Sequence, residues 1–328
     1  MTTTQFQRVS GDAAVPAELR GGVVAIGNFD GVHRGHQAVL QRALEEAARR
    51  GVPALVLTFE PHPRTVFRPD VPLFILTPPA VKARLLARLG FDAVVEQPFT
   101  REFAGQSAEE FVTRILDRNL GISHAVTGFD FHFGKNRQGG PAFLMQSGER
   151  HGFAVTLVDP FRDEGAEIVS SSRIRVLLRE GDVVQAAGLL GYRFTVEETV
   201  VRGKQLGRTL GFPTANMKLA DTTELKHGIY AVRLRRANGT LHDGVASFGR
   251  RPTVDEHGVT LLETFVFDFS GDLYGETCEV SFFGYLRGEE RFDGLDALTA
   301  QMKRDEAEAK ALLSGVRPLS ELDARIAF

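Results

Sequence analysis

The feature of this 328-residue chain that most constrains its fold is a change in element order near residue 190. Before that point, short apolar runs alternate with longer runs whose apolar residues recur at helical spacing. After it, short β-type runs follow one another directly. Alternation indicates a parallel sheet covered by helices, whereas consecutive strands indicate an antiparallel sandwich or barrel. The sequence therefore predicts two domains, residues 1–186 and 187–328.

The first domain is predicted to be an α/β fold. Its strands are expected at residues 22–27, 54–59, 92–97, 124–129 and 153–158. Glycine readily adopts the left-handed conformation of a helix C-cap, and it ends each of three intervening helical runs, at 36–51, 79–90 and 107–121. In the last run, Ser107 and Glu110 have the spacing of a capping box.

The second domain is predicted to be a small, mostly antiparallel barrel or sandwich with a terminal helix. Its elements are expected as strands at 192–201, 229–235, 241–248, 260–267 and 276–283 and a helix at 294–313. The helix has an apolar stripe, formed by Leu295, Leu298, Met302, Ala309 and Leu312. Gly203–Met217 has too many glycines for a helix or a central strand, so we expect a ligand-binding or plain loop there.

Composition excludes several classes of partner. The formal charge of −3 provides no overall basic field for nucleic acid or an anionic membrane surface. Cys278 is the only cysteine, so neither an intrachain disulfide nor a cysteine-based zinc cluster can form. The start resembles no secretory signal, and no apolar run approaches the roughly 20 residues of a membrane span. We expect a cytoplasmic protein, and the sequence carries no signal for a particular oligomeric state.

The stretch GNFDGVHRGHQ, Gly27–Gln37, places two histidines three residues apart after a predicted strand. Loops at the carboxyl ends of strands bind ligands in open α/β sheets, and a helix start offers N–H groups to phosphate. Asn28, Gly31 and Gly35 would let the backbone approach such an anion closely. A helix cap with two exposed histidines is an alternative. A metal site is a weaker one, because no third ligand is evident.

Four stretches of the first domain resemble one enzyme family. GNFDGVHRGHQ resembles the HxGH signature of the nucleotidyltransferase superfamily, and three others resemble its flavin branch: TFEPHP (58–63), GFDFHFGKNRQG (128–139) and SSSRIR (170–175). Together they look like the FMN adenylyltransferase (FAD synthetase) half of bacterial bifunctional riboflavin kinase/FAD synthetases. The resemblance implies a Rossmann-like α/β domain of the HxGH type.

The same resemblance implies roles for individual residues. Asn28, His33 and His36 would hold the ATP phosphates during catalysis. The other ATP-binding residues would be Gly27, Phe29, Gly35, Ser171, Ser172 and Arg175, and the flavin-binding residues Phe59, Asp130 and Phe131. Taken alone, SSSRIR is more typical of a serine-capped helix with solvated arginines, and Phe59 could be a core residue. Asp130 and His132 depart from a family pattern that often has asparagine and arginine-like residues in this loop.

The second domain resembles the riboflavin kinase module of the same family, a Greek-key antiparallel β-barrel with a terminal helix. The matching stretches are GRTLGFPTAN (207–216), HGIYAV (227–232), GVASFGRRPTV (244–254), LLETFVFDFSGDLYGE (261–276) and LRGEERF (286–292). Arg250 replaces a residue that is commonly smaller, and Phe265 stands where histidine is common. We expect these two departures to bear on flavin affinity rather than on the catalytic groups.

In this module the resemblance makes Glu263 the catalytic base, although strand alternation could also point it to solvent. Thr214 and Asn216 offer hard oxygen ligands suited to Mg²⁺. The implied ATP-binding residues are Gly203, Gly207, Gly211, Pro213, Thr214 and Asn216, and Arg287 is the implied flavin-binding residue.

The implied function is phosphorylation of riboflavin to FMN, then adenylyl transfer to FMN, with FAD and pyrophosphate as products. ATP and Mg²⁺ would serve both steps, ADP would leave the first, and no permanently bound prosthetic group is implied. Three rivals are a nucleotidyltransferase for a pantetheine or pyridine nucleotide, a flavin-binding regulator, and a nucleic-acid-binding protein. The second module argues against the first rival, and the retained catalytic residue types argue against the second. The charge balance argues against nucleic-acid binding.

Overall fold

The structure is a computed structural model, and it describes residues 5–203, 211–251 and 259–328. The chain divides into two compact units, Met1–Ser171 and Ser172–Phe328, which we call unit 1 and unit 2. Within the described ranges, no helix combines the length and the apolar character that a membrane span requires.

Unit 1 is built on a six-stranded sheet in which every neighbouring pair is parallel. Its strands are β1 (Gln7–Ser10), β2 (Val23–Ile26), β3 (Ala54–Glu60), β4 (Ala93–Pro98), β5 (His124–Gly128) and β6 (Ala154–Val158). The five strands expected from the sequence are present. The sequence interpretation missed β1, because it is a four-residue edge strand with polar side chains and no apolar run.

The helices of unit 1 follow the glycine and capping signals of the sequence. They are α1 (Arg34–Arg50), α2 (Pro63–Phe67), α3 (Pro79–Leu89), α4 (Arg101–Ala104), α5 (Ala108–Glu110), which continues as a π-helical segment (Phe111–Asn119), and α6 (Pro141–His151). Gly51 and Gly90 take the left-handed conformation at the ends of α1 and α3. The capping box of Ser107 and Glu110 is present, as predicted.

The strand order β1-β4-β3-β2-β5-β6 creates a switch point beside β2. From β2 the chain adds β3 and then β4 on one side, and it later returns to place β5 on the other side. The loops that leave β2 and β5 therefore diverge at the same edge of the sheet. Ligands bind at such an edge in open α/β sheets, and the GNFDGVHRGHQ motif begins there.

The central strands of unit 1 are buried on both faces. All four residues of β2 are buried, and so are six of the seven residues of β3. Parallel strands between helical layers characteristically show such continuous apolar runs. Because this core leaves their backbone no freedom, the polar residues just beyond the strand ends are held in fixed positions.

Unit 2 contains a closed antiparallel barrel of six strands, ordered β10-β11-β8-β7-β12-β9. These are β7 (Thr195–Val201), β8 (Thr214–Lys218), β9 (Gly228–Arg235), β10 (Leu241–Arg251), β11 (Val259–Val266) and β12 (Thr277–Arg287). The expectation that Gly203–Met217 is all loop was wrong at its end, since β8 begins at Thr214 and pairs with β7 and β11. The glycines precede the strand and do not interrupt it.

In the described part of unit 2, four helices accompany the barrel, two before it and two after it. They are α7 (Ser171–Glu180), whose first residue closes unit 1, α8 (Val183–Leu190), α9 (Leu295–Gly315) and α10 (Glu321–Ala327). In α9, Ala309 is buried as expected, but Leu295 is 64% exposed, so the apolar stripe does not include it. Arg193 ties α10 to the barrel through Asp323, at 2.7 Å.

We predict that the two helices before the barrel stabilise it. Backbone N–H of Lys226 donates to Leu178 O in α7 (3.0 Å), and Val183 of α8 is buried. A fragment starting at Ser172 should therefore exceed one starting at Leu189 in unfolding free energy by about 2 kcal/mol or more, the value of one buried valine. All four tyrosines lie between residues 192 and 285, so denaturation followed by tyrosine fluorescence measures both fragments.

The boundary after residue 186 lies inside α8, and it remains a prediction. If the fragments starting at Ser172 and at Leu189 have equal unfolding free energies, the boundary after residue 186 is favoured over a boundary near Ser171.

Candidate active sites

The loop after β2 is held in place by polar contacts from the segment that precedes α3. The carboxylate of Asp30 accepts hydrogen bonds from the backbone N–H groups of Leu76 (2.8 Å) and Thr77 (3.0 Å). The N–H of Gly31 donates to Thr77 Oγ1 at 2.8 Å. Phe29 and Val32 have positive φ angles of 48° and 38°, which non-glycine residues seldom adopt without such support. The loop is therefore a preformed turn.

The two histidines of the motif lie against each other at the start of α1. Their rings are stacked, with centroids 3.6 Å apart and an angle of 16° between the planes. His33 is the N-cap, and its Nδ1 accepts the backbone N–H of His36 at 3.3 Å. With Nδ1 as an acceptor, a neutral His33 carries its proton on Nε2, which can donate to a ligand. The simple interpretation as a cap with two exposed histidines fails in part, since His33 is 5% exposed.

His36 is neutral near pH 7. Burial of the ring, together with electrostatic interactions with His33 and with the positive charge of Lys82, holds the pKa of His36 well below its usual range. Its Nδ1 is shielded from solvent and finds no hydrogen-bond partner among the described residues. The same holds for Oδ1 of Asn28 in the adjoining loop. Shielded polar atoms of this kind are uncommon and mark a place where a ligand can complete the hydrogen bonding.

No group of three or more His, Cys, Asp or Glu side chains in the described ranges could hold a metal ion. The arrangement around His33 and His36 instead suits an anion, because the first turn of α1 adds unpaired N–H groups and the positive end of its dipole.

The remaining residues implied to bind ATP for adenylyl transfer lie directly after β2, in the first turn of α1 and on α7. Gly27 follows β2, and its N–H donates to Leu57 O on β3 at 3.1 Å. Gly35 lies in the first turn of α1, where an added Cβ would be 3.1 Å from the His33 ring. Ser171 Oγ donates to the Asp30 carbonyl at 2.8 Å, which attaches the start of α7 to the motif loop. Ser172 and Arg175 follow on α7 and belong to unit 2.

Aromatic rings fill the region beyond the carboxyl ends of β3 and β5. This phenylalanine cluster comprises Phe59, Phe99, Phe103, Phe111, Phe131, Phe133 and Phe143. Phe59 is 6% exposed and packs against Phe99, Phe103 and Phe111, as the core alternative for this residue expects. Its contact with a flavin stays a prediction, and the rings at the rim of the cluster offer more free surface.

Phe131 lies at that rim. Its ring stacks on Phe133 with a centroid distance of 5.3 Å, and it is only partly buried. Asp130 is exposed, and its carbonyl lies 2.8 Å from His132 Nδ1. The loop that carries them closes through a bridge between Phe133 and Gly139. Phe131 therefore presents a ring to solvent, whereas the Asp130 carboxylate presents a charge.

The sequence interpretation missed Lys82 and Thr58, which lie directly behind the motif loop. Lys82 Nζ donates to Thr58 Oγ1 (3.1 Å), and that hydroxyl donates to the carbonyl of Asn28 (3.1 Å). A signal was present in the sequence: Lys82 falls on the same face of α3 as Leu85 and Leu86, where a lone lysine is unusual.

In the barrel, the implied catalytic and metal-binding residues lie on neighbouring strands. Glu263 of β11 is directly opposite Asn216 of β8 and Ser247 of β10. Glu263 is half-buried, and Thr214 lies opposite Phe265. Asn216 is 4% exposed, and its Nδ2 donates to the Thr214 carbonyl at 3.1 Å. Its Oδ1 is shielded and has no hydrogen-bond partner within the described part of the chain.

Gly203 faces Asn216 at close range. A Cβ at this glycine would lie 2.6 Å from Asn216 Oδ1 and 2.8 Å from its Nδ2. Gly211 has a φ of +87°, and Pro213 directly precedes β8 and is exposed. Gly207 lies outside the described residues. The glycine at position 203 is therefore required by the position of the Asn216 amide.

Arg287 makes mainly structural contacts. Its Nε and Nη2 donate to the two oxygens of Asp305 at 2.8 and 2.7 Å, and its Nη1 donates to Gly288 O. This bidentate pair holds α9 against β12. Flavin binding by Arg287 stays a prediction, and Arg250, which donates to Asp221 O, is likewise engaged with the protein.

Fold and sites together define an ATP-using enzyme with two catalytic modules, an HxGH-type nucleotidyltransferase and a kinase barrel. A family model described as FAD synthetase matches residues 15–173, and one described as riboflavin kinase matches residues 190–313. The chain belongs to the bifunctional riboflavin kinase/FMN adenylyltransferase family.

Relatives that bear this family's name match nearly the whole chain. The one from Escherichia coli strain K12 is 39% identical, over 92% of this chain and 96% of its own length. The one from Pseudomonas fluorescens is 41% identical, over 94% and 98%. A crystal structure described as a macrolide-efflux protein from Streptococcus pneumoniae is 31% identical, with a TM-score of 0.82 over 92% of this chain and 98% of that chain.

We predict that Gly203→Ala impairs riboflavin phosphorylation and spares FMN adenylylation. The added methyl group would displace the Asn216 amide, and misplacing a group at an active site lowers rates by roughly 10-fold or more. Gly188→Ala on α8 is the matched control, because a Cβ there meets no atom within 4 Å. Initial rates of FMN formation from riboflavin and of FAD formation from FMN measure both effects. Normal FMN formation by Gly203→Ala would contradict the role of Asn216.

Proposed function

We propose that unit 1 transfers the adenylyl group from ATP to FMN and that the barrel of unit 2 phosphorylates riboflavin. The family of the chain has both activities, and its substrates are riboflavin, FMN and ATP. The observation that supports the assignment is that each unit has its own polar arrangement of a kind that suits a phosphate. In unit 1 this is the His33–His36 stack at a helix start, and in unit 2 it is Glu263 opposite Asn216.

In adenylyl transfer, an oxygen of the FMN phosphate attacks the α-phosphorus of ATP, and the bond to pyrophosphate breaks. Positioning and stabilisation of charge account for most catalysis in such transfers. Nε2–H of His33 and the neutral imidazole of His36 donate hydrogen bonds to the phosphates, and the N-terminus of α1 attracts their charge. Asn28 supplies a further polar group in the same loop, and Ser171 donates from its hydroxyl to the Asp30 carbonyl of that loop.

In riboflavin phosphorylation, the 5′-hydroxyl oxygen attacks the γ-phosphorus of ATP, and ADP leaves. Glu263 accepts the hydroxyl proton, which requires an ionised carboxylate within hydrogen-bond reach of the substrate. Its half-buried position on β11 makes it accessible to a ligand while the barrel fixes its backbone.

The donor set of the barrel fits Mg²⁺ carried by ATP phosphates. Asn216 Oδ1 is a shielded oxygen without a partner in the described ranges, and the Thr214 hydroxyl lies 3.4 Å from Asn216 Nδ2. Both are neutral oxygen ligands of the kind Mg²⁺ accepts when phosphates supply the charge. Bound there, the ion would neutralise charge on the transferring phosphoryl group.

Two point mutants test the assignment of one reaction to each unit. His36→Ala removes one preorganised donor, so FAD formation from FMN should fall by about 10²–10³-fold while FMN formation continues. Glu263→Gln keeps the side-chain shape but removes the base, so riboflavin should persist while added FMN is still converted. Chromatographic separation of the three flavins over time measures both reactions.

A mixture of the two mutants gives the complementary test. FMN made by His36→Ala should reach the other mutant, and FAD should form from riboflavin. The assignment is wrong if Glu263→Gln fails to convert added FMN, or if His36→Ala converts it at the wild-type rate.

A further inference from the structure

Lys82 is a buried ammonium group that neither reaction uses directly. The residue is 4% exposed, in the first turn of α3, with Ala83, Leu85 and Leu86 buried beside it. Burying a lysine is costly unless its charge is paired and hydrogen-bonded. The pairing is supplied by Glu60, whose Oε1 lies 2.6 Å from Lys82 Nζ.

The two residues that accept hydrogen bonds from Lys82, Thr58 and Glu60, both lie on β3 but contact different neighbouring segments. Thr58 Oγ1 accepts from Lys82 Nζ and donates to the Asn28 carbonyl, both at 3.1 Å, so this hydroxyl connects the lysine to the motif loop. Glu60 is the last residue of β3 and leads into the turn at 61–63. The ammonium group therefore holds the ATP loop on one side and the turn of the TFEPHP stretch on the other.

We propose that Lys82 is a positioning residue for adenylyl transfer, which fixes the ATP loop through Thr58 and the Pro61–Pro63 turn through Glu60. The proposal rests on the assignment of that reaction to unit 1. Lys82 touches neither substrate. It sets the distance between the loop that receives ATP and the turn that borders the phenylalanine cluster.

A buried ion pair is weak evidence for stability alone, because well-packed apolar residues often replace such a pair without loss. The ion pair here is joined to a chain of hydrogen bonds, whose direction apolar residues cannot supply. The Thr58 hydroxyl must accept one hydrogen bond and donate another, and both partners are in place. Loss of the ammonium group frees this hydroxyl to rotate and leaves Glu60 as a carboxylate without its cation.

Lys82 also acts on His36 through its charge. Burial of the His36 ring is the largest cause of its lowered pKa, and electrostatic interactions with His33 and with the Lys82 ammonium group add to it. Among the described residues, His33 and Lys82 are the groups whose electrostatics bear on the imidazole. The Phe29 ring packs edge-on against it, with a centroid distance of 5.4 Å. A neutral replacement of Lys82 should therefore raise the pKa of His36.

The first experiment compares Lys82→Met with Arg88→Met, which removes the same charge from the last turn of the same helix. Lys82→Met should lower kcat for FAD formation by roughly 10- to 100-fold, the scale expected for misplaced reacting groups. Arg88→Met should keep the wild-type rate, and Lys82→Arg should recover part of the loss. Riboflavin phosphorylation should stay normal in all three, and unit 2, which holds every tyrosine, should give unchanged tyrosine fluorescence.

Two further variants separate the connections. Thr58→Val keeps the side-chain shape but removes the hydroxyl, so it loses the hydrogen bonds to both Lys82 and Asn28 and leaves the Lys82–Glu60 ion pair. It should raise KM for ATP more than KM for FMN. Glu60→Gln weakens the connection to the Pro61–Pro63 turn and should raise KM for FMN more. Lys82→Met should raise both KM values. General loosening of the sheet would affect both KM values in all three variants, so it would not produce this difference between them.

NMR titration of labelled histidine, assigned with His36→Gln, gives a measurement independent of activity. The pKa of His36 should rise in Lys82→Met and stay near the wild-type value in Lys82→Arg and Arg88→Met. Unchanged kinetic constants and an unchanged His36 pKa in Lys82→Met, in a chain whose Arg88→Met control makes FAD, would overturn the proposal. If Lys82→Met does not fold, Thr58→Val and Glu60→Gln decide, and wild-type KM values in both would overturn it. A wild-type chain that makes no FAD would instead overturn the function of unit 1.

Discussion

The parallel pairing of β2 with both β3 and β5 is the constraint on which unit 1 depends. Hydrogen bonds on both edges and helices on both faces leave this strand no freedom to shift. The chain must therefore emerge at a fixed point of the sheet edge, where positive φ angles at Phe29 and Val32 turn it towards α1. The strained turn persists because Asp30 and Thr77 bond it to the segment before α3. Strain of this kind is characteristic of ligand-binding loops that a rigid scaffold supports.

The proposed binding of ATP phosphates rests on a different backbone arrangement in each unit. Unit 1 places stacked rings and N–H groups at a helix start. Unit 2 places a carboxylate and an amide across neighbouring barrel strands, where register rather than loop geometry sets their spacing. In both units an asparagine side chain, Asn28 or Asn216, keeps a shielded oxygen without a partner among the described residues. The polar group is held ready before its ligand arrives, so little reorganisation is needed during the reaction.

Much of this architecture was predictable, because it depends on local patterns. Apolar runs gave five of the six strands of unit 1, and glycine and the Ser107–Glu110 pair marked helix ends. β8 was missed because its glycine-rich approach concealed a five-residue strand whose formation depends on partners distant in sequence. Lys82 was missed for a similar reason, since its function lies in contacts with β3 that no spacing along the chain reveals. Leu295 was placed on the wrong face because periodicity alone cannot tell where a helix leaves the domain surface.

The phenylalanine cluster has a consequence for selectivity. Unit 1 contains no tyrosine or tryptophan, so its aromatic rings carry neither a hydroxyl nor an indole N–H group. A flat ring system that packs against these phenylalanine rings is selected by its size and shape, because the rings form no conventional hydrogen bonds. Apolar pockets reject isosteric substitutions only weakly. An analogue that differs only at the apolar edge of its rings should therefore bind to unit 1 almost as well as the substrate. Selectivity then depends on the polar groups around the phosphate.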